Sequence, residues 1–274
     1  MKMAITGSTG GLGTITVKRL VNDYELILIN RNMDKANLQK EELLKINPNA
    51  SITLLKCDMS DINSVKELTD ELIKLEIDYL IINAGILKVK KEMTNFGYNN
   101  IFSVNFLAPY YIINRLKENN LPKVKNIVVS SVAYKMSKFD PIDIDQNNYK
   151  SINKTYGNSK RCLMTSLMEL FKGEEEKLVI VHPGVTLTNM TKNYYKAIKW
   201  FIVIFMTIFF QGKKKASRSL YKAINTTTPY FYWLGPHIFG IYGKPKPKKV
   251  KKISLEERAL IDKKARELYL DMTK

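Results

Sequence analysis

The chain has 274 residues, 45% of them hydrophobic, and sets 44 lysines and arginines against 26 acidic residues for a formal charge of +18. That length builds one large domain with a real core, and the excess of cations suits anionic partners from phosphate-bearing cofactors to acidic lipid without choosing among them. Cys57 and Cys162 lie far apart and His182 and His237 are the only histidines, which excludes a disulfide framework and a zinc site and fits a reducing, cytoplasmic setting. Asn, Lys and Ile are abundant from end to end, so part of the basicity reads as a compositional habit spread over solvated faces. No nucleic-acid-binding motif stands behind it, and no nucleic acid partner is expected.

The first apolar run, Lys2 to Thr6, follows Met1 directly, and no secretory leader is expected. From there to about residue 185, short runs rich in Ile, Leu and Val alternate with helical segments, the pattern of a doubly wound parallel α/β sheet. Six strands are expected: Lys2 to Thr6, Glu25 to Asn30, Ser51 to Cys57, Tyr79 to Asn83, Asn126 to Ser130 and Leu178 to His182. Helices are expected over Leu12 to Val21, Lys35 to Ile46, Asn63 to Leu75, Tyr98 to Lys117 and Ser151 to Phe171, with Pro48 and Gly173 as stops.

Between the first strand and the first helix stands Thr6-Gly7-Ser8-Thr9-Gly10-Gly11-Leu12-Gly13. A sharp turn and close backbone approach to a pyrophosphate both require residues without a Cβ, and the helix amino terminus adds N–H donors and positive potential. The glycines satisfy TGxxxGxG and TGxxGxxG at once, so the loop does not select a subfamily. At the end of the second strand an NAD site usually places an acidic side chain and an NADP site a basic one; Arg31 therefore favours NADP(H) over NAD(H). Its plain alternative is a solvated arginine at a strand end.

In Tyr156-Gly-Asn-Ser-Lys160 a spacing of four sets phenol and ammonium on one helical face. Lowering a phenol by roughly 3 pKa units takes about 4 kcal/mol of phenolate stabilisation, which a neighbouring ammonium can supply. Tyr156 would then exchange a proton with a substrate oxygen near neutral pH.

The glycine loop, Asn83-Ala84-Gly85, Ser130-Ser131, Tyr156/Lys160 and His182-Pro183-Gly184 with Thr188 beyond it together resemble the short-chain dehydrogenase/reductase family over about residues 2 to 190. The resemblance implies a Rossmann fold and hydride transfer between a nicotinamide cofactor and an alcohol or carbonyl. It implies Asn105, Ser131, Tyr156 and Lys160 as the catalytic set, with Ser131 on the substrate oxygen and Asn105 holding a water for proton relay behind Lys160. Implied cofactor contacts are Gly7, Ser8, Thr9, Gly11, Leu12, Gly13, Arg31, Asp58, Met59, Asn83, Ala84, Gly85, Tyr156, Lys160, Pro183, Gly184, Val185 and Thr188. The 25-residue separation of Ser131 and Tyr156 and the Tyr-Gly-Asn-Ser-Lys-Arg run resemble the retinol-dehydrogenase-like branch, implying a small apolar alcohol or carbonyl substrate; a homo-oligomer is a family expectation. Asn95-Phe96-Gly97 departs from the family's usual acidic-Gly pattern. Two other readings share parts of these motifs: a nucleotide-sugar epimerase or dehydratase, and a non-catalytic dinucleotide-binding scaffold.

Past residue 185 the alternation breaks. Trp200 to Phe210 is apolar but for Thr207, and as a helix it would be about 16 Å long, short of a hydrocarbon core of roughly 30 Å. An apolar lid over about 190–215 is expected, buried against the domain or a partner, or, with Lys192, Lys196, Lys199, Lys213, Lys214, Lys215 and Arg218 beside it, lying on an anionic membrane surface. Gly243 to Lys252 reads as a linker or tail, and Ser254 with Glu257 makes a capping-box pattern for a terminal helix. The chain thus divides into an oxidoreductase domain, 1–243, and a basic linker with its helix, 244–274.

Overall fold

Apolar runs this continuous become strands buried on both faces. The computed structural model describes residues 1–87, 89–119, 123–184, 213–238 and 242–274. Its first six strands fall where expected: β1 (Lys2–Thr6), β2 (Glu25–Asn30), β3 (Ile52–Lys56), β4 (Tyr79–Ile82), β5 (Lys125–Val129) and β6 (Leu178–Val181). Within β1, Met3 and Ile5 enter one hydrophobic cluster and Ala4 the other; β2 divides Leu26 and Leu28 from Ile27 and Ile29 in the same way. This period of two, apolar on both sides, is why the runs show no polar alternation.

Helices α1 (Gly13–Leu20), α2 (Met33–Ile46) and α3 (Ile62–Lys74) follow the first three strands. The segment expected as one helix from Tyr98 is instead a short α4 (Asn100–Phe102), a π turn over Ser103–Leu107 and α5 (Ala108–Glu118). Asn99 caps its start by accepting from Phe102 N at 3.0 Å. Then come α6 (Ile152–Leu170), α7 (Lys213–Ile224) and α8 (Leu255–Thr273). Val17, Leu20, Leu43, Leu220, Ala223 and Ile224 place α1, α2 and α7 on one side of the sheet. Residues of α3, α5, α6 and α8, among them Leu68, Ile112, Leu163 and Leu268, fill the other. Asn95 of the departing Asn-Phe-Gly turn accepts from Ile62 N at 3.0 Å and donates to Asp61 at 2.7 Å, tying the turn to the start of α3.

The strand order is β3-β2-β1-β4-β5-β6-β7-β8, in which β7 (Tyr232–Ile238) and β8 (Tyr242–Lys249) extend the expected six. The first seven strands are parallel and β8 runs antiparallel to β7. This corrects the linker reading of Gly243 to Lys252, most of which is an edge strand. Leu234 bonds towards β6, its carbonyl accepting from His182 N at 2.8 Å, so its hairpin partner Pro247, and Pro245 with it, turn their nitrogens away from β7. Prolines there cost no ladder hydrogen bond and deny an incoming strand its donors. The terminal helix is no appendage either, since Ile261, Ala265, Leu268 and Tyr269 belong to the main core.

Cys57 and Cys162 are buried free thiols; burial pushes Cys57 up to about 12 and Cys162 higher still, so both behave as small core residues. Among the described residues no helix is long and apolar enough to cross a membrane. The apolar run Trp200 to Phe210 and almost all of the expected lid lie outside them.

Candidate active site

At the carboxyl ends of the strands, where β1 and β4 lead their chains to opposite sides of the sheet, lies a cleft of about 1140 Å³. Its floor is the loop between β1 and α1. Gly7 N donates to Ile29 O at 2.8 Å and Gly10 N to Gly7 O at 3.0 Å, closing a tight turn. A Cβ on Gly13 would stand 2.5 Å from Gly7 O and 2.7 Å from Ser8 O, so no larger residue fits beneath the turn. Helix α1 starts without a side-chain cap and without an acidic residue in its first turn. Its amino-terminal N–H groups therefore suit an anion, and Thr9, Gly11 and Leu12 line the cleft beside them.

Ser8 and Gly13 do not line the cleft. The Ser8 hydroxyl donates to Gln39 Oε1 at 2.6 Å and accepts from Asn30 Nδ2 at 2.7 Å, while Asn30 Oδ1 accepts from Thr9 N and Thr9 Oγ1, both at 3.1 Å. Both loop residues hold the turn from behind. Asn30 and Gln39 escaped the sequence reading, where they stood as an ordinary strand end and helix position. Asn83 supports the loop from the other side, donating to Gly7 O at 2.9 Å and Thr6 O at 3.1 Å, with Ala84 N donating to Thr6 Oγ1 at 3.0 Å.

Arg31, with a largely exposed side chain, stands at the outer end of the cleft, its guanidinium 3.8 Å from the Asp58 carboxylate. Asp58 also accepts from Ser60 N at 2.9 Å, and Met59, Asn83, Ala84 and Gly85 line the wall between. Lys35, in the first turn of α2, adds a second cation to the same lining; its place in a helix start gave no functional signal in sequence.

At the inner end β5 leads into Ser131, which caps a 3-10 turn over Val132–Met136 by accepting from Ala133 N at 3.2 Å. Helix α6 brings Tyr156 against this turn, and both residues face the cleft along with Pro183 and Gly184. The approach depends on Gly157, where a Cβ would lie 2.4 Å from Ala133 O. The sequence reading passed over this glycine because it seeks glycines in turns and this one is inside a helix.

Lys160 is buried behind Tyr156, its Nζ 6.0 Å from the phenol ring centre and donating to Val129 O at 3.1 Å. Asn105, in the π turn, is also buried: Oδ1 accepts from Ile86 N and Nδ2 donates to Ile86 O, both at 2.9 Å. It holds the irregular segment that leaves Gly85. A π turn often re-aims a side chain at a functional site, and periodicity alone reads through it as ordinary helix.

The electrostatics depart from the expectation of a phenol lowered by its lysine. Burial pushes Tyr156 up to about 12, with the Ser131 hydroxyl pulling the other way, and burial pushes Lys160 down to about 8. Near neutral pH the phenol is therefore a protonated hydrogen-bond donor facing the cleft. Val185 and Thr188 lie outside the described residues.

The short chain dehydrogenase family matches residues 2–199. Retinol dehydrogenase 12 of Mus musculus is 28% identical over 233 residues, covering 81% of this chain and 72% of its own length. Polyprenol dehydrogenase of Homo sapiens is 25% identical over 248 residues, covering 85% and 74%. Among solved structures, an uncharacterized protein from Mycobacterium Paratuberculosis superposes with a TM-score of 0.72 at 21% identity over 99% of this chain and 92% of that one, a likeness of fold. The chain belongs to the short-chain dehydrogenase/reductase family, on its retinol-dehydrogenase-like branch, and is an oxidoreductase of alcohol and carbonyl groups that works with a nicotinamide dinucleotide.

Proposed function

We propose that the protein interconverts an apolar alcohol and its carbonyl with NADP(H) in preference to NAD(H), using Ser131 and Tyr156 to hold the reacting oxygen. One observation carries the reading: Ser131 and Tyr156 converge at the inner end of a cleft whose outer end holds Arg31 and Lys35. The loop between β1 and α1 and the uncapped start of α1 would take the pyrophosphate, and Arg31 with Lys35 a ribose phosphate. A bound nicotinamide supplies or accepts the hydride.

In the reducing direction the Ser131 hydroxyl and the Tyr156 phenol donate to the carbonyl oxygen, and Tyr156 gives up its proton as that oxygen becomes an alkoxide. Lys160, fixed by Val129 O, stands where its ammonium stabilises the resulting phenolate, and Asn105 keeps the Gly85–Ile86 backbone in place beside it. Oxidation runs these steps backwards. The apolar substrate class is supported by Ile86, Leu87, Val89, Met93, Val132 and Met136 along the inner wall, and by two relatives named for isoprenoid alcohols.

The test is fluorescence titration of the purified protein and of Arg31→Ala with NADPH and NADH. The expected result is NADPH preference in the parent and a loss of at least about 10-fold in NADPH affinity in the variant, the worth of one charge-assisted hydrogen bond, with NADH binding little changed. Equal losses for both nucleotides would remove Arg31 from the phosphate site.

A further inference from the structure

The charge of +18 is not spread over the molecule. Between Lys177 and Leu255 the chain carries fifteen lysines and arginines and no aspartate or glutamate, while the other 29 cations are set against all 26 carboxylates. Only part of the basicity is therefore dispersed, and the fold gathers much of this segment at one edge of the sheet.

Lys244, Lys246 and Lys248 alternate along one side of β8, and Lys249 takes the other side. Lys251 and Lys252 follow immediately, both exposed. Lys135, in the turn after Ser131, is close enough to Lys248 for its charge to reinforce the effect of burial in lowering the Lys248 ammonium. Around the edge α7 exposes Arg218 and Lys222, the latter donating to Pro245 O at 3.0 Å. Among the described residues none of these nine cations has a carboxylate within ion-pairing distance. Like charges gathered without counter-charges repel, and an anionic partner removes that cost.

Apolar side chains stand exposed among them: Met136 beside Lys135 and Ile238 at the end of β7. We propose that this edge, the β7–β8 ribbon with the Lys135 turn and the outer side of α7, is a docking surface for an anionic lipid bilayer. Cations with apolar side chains between them fit a layer of acidic headgroups over hydrocarbon. Ten of the eleven cations in 213–253 are lysines, point charges suited to a fluid headgroup layer; the planar fork with which arginine grips phosphates and base edges occurs once, in Arg218. Met136 belongs to this surface and to the cleft lining alike, so docking brings the cleft mouth to the bilayer. The surface stands independently of the nucleotide assignment, and its test reads binding alone.

The experiment is flotation of the full chain with phosphatidylcholine vesicles and with vesicles containing phosphatidylserine, at low and high salt. A variant with Lys244, Lys246, Lys248 and Lys249 changed to Gln is compared with one in which Lys45, Lys56, Lys172 and Lys263, exposed elsewhere, are changed to Gln. Thermal melts of both variants verify folding. Each lysine at an anionic surface contributes about 5-fold in affinity, so the ribbon variant should lose at least about 30-fold with half its lysines engaged. The control variant should lose far less, and binding should require the anionic lipid and fade with salt. Equal losses in the two variants, equal binding to neutral vesicles, or tighter binding to a single-stranded RNA competitor than to anionic vesicles would each overturn the proposal.

Discussion

Arg161 follows Lys160 on α6, and its side chain is 3% exposed. Its Nε and Nη2 grip both carboxylate oxygens of Glu257 at 2.6 Å each; Nη1 donates to Tyr134 O at 3.0 Å, and Nη2 also donates to Lys252 O. One guanidinium thus joins α6, the turn opened by Ser131, the link between β8 and α8, and the first turn of α8. Removing one member of a buried ion pair costs about 3–5 kcal/mol, because the other is left charged without its partner. Glu257, 21% exposed, can recover water when it is the one left behind. Arg161, 3% exposed, cannot. We therefore expect Arg161→Met to cost about 3 kcal/mol and Glu257→Leu to cost more, towards about 5. The double variant should be no less stable than Glu257→Leu alone, a coupling of at least about 3 kcal/mol. Equilibrium urea unfolding would read this as a shift in midpoint at constant slope. Single variants costing under about 1 kcal/mol, or a double variant equal to the sum of the singles, would show that the pair does not act as a unit.

Lys160 is lowered in the folded protein to about 8, while the unfolded chain keeps that proton up to its ordinary value of 10.5. Between these values the unfolded state binds more protons, so the Lys160 contribution to stability rises with pH. Stability of the parent relative to Lys160→Met should therefore climb by up to about 3 kcal/mol from pH 8 to 10.5, and a flat difference in urea midpoints across that range would refute the assignment. Tyr156→Phe should lower turnover at least about 100-fold with nucleotide binding retained; an unchanged rate would remove the phenol from the chemistry. Gly157→Ala sets a Cβ against Ala133 O and should cost about 1–3 kcal/mol as α6 backs away from the Ser131 turn, with turnover falling further than in Ala→Gly changes at exposed helix positions. A variant of parental stability and rate would mean that the approach of α6 is not tight.

What was legible in the sequence was what repeats or sits close together. Six strands announced themselves as apolar runs, the inner ones buried on both faces, and Tyr156 and Lys160, four apart on one helix, needed no knowledge of the rest of the chain. The edge hairpin was hidden for a physical reason: an edge strand need not be apolar, and the features that protect its open side, Pro245, Pro247 and the lysines around them, are those that mark a linker. The capping pattern at Ser254 was half right. Ser254 accepts from Glu257 N at 3.1 Å, but the Glu257 carboxylate is taken by Arg161, 96 residues away, and no local window contains that partner. The same limit governs the chemistry. Spacing placed an ammonium beside a phenol, yet whether the ammonium lowers the phenol or burial raises it depends on how much protein surrounds both, and that is set by β5, β6 and the Gly85 loop together. A motif therefore identifies which groups meet, while the packing around them decides in which direction each one's proton affinity moves.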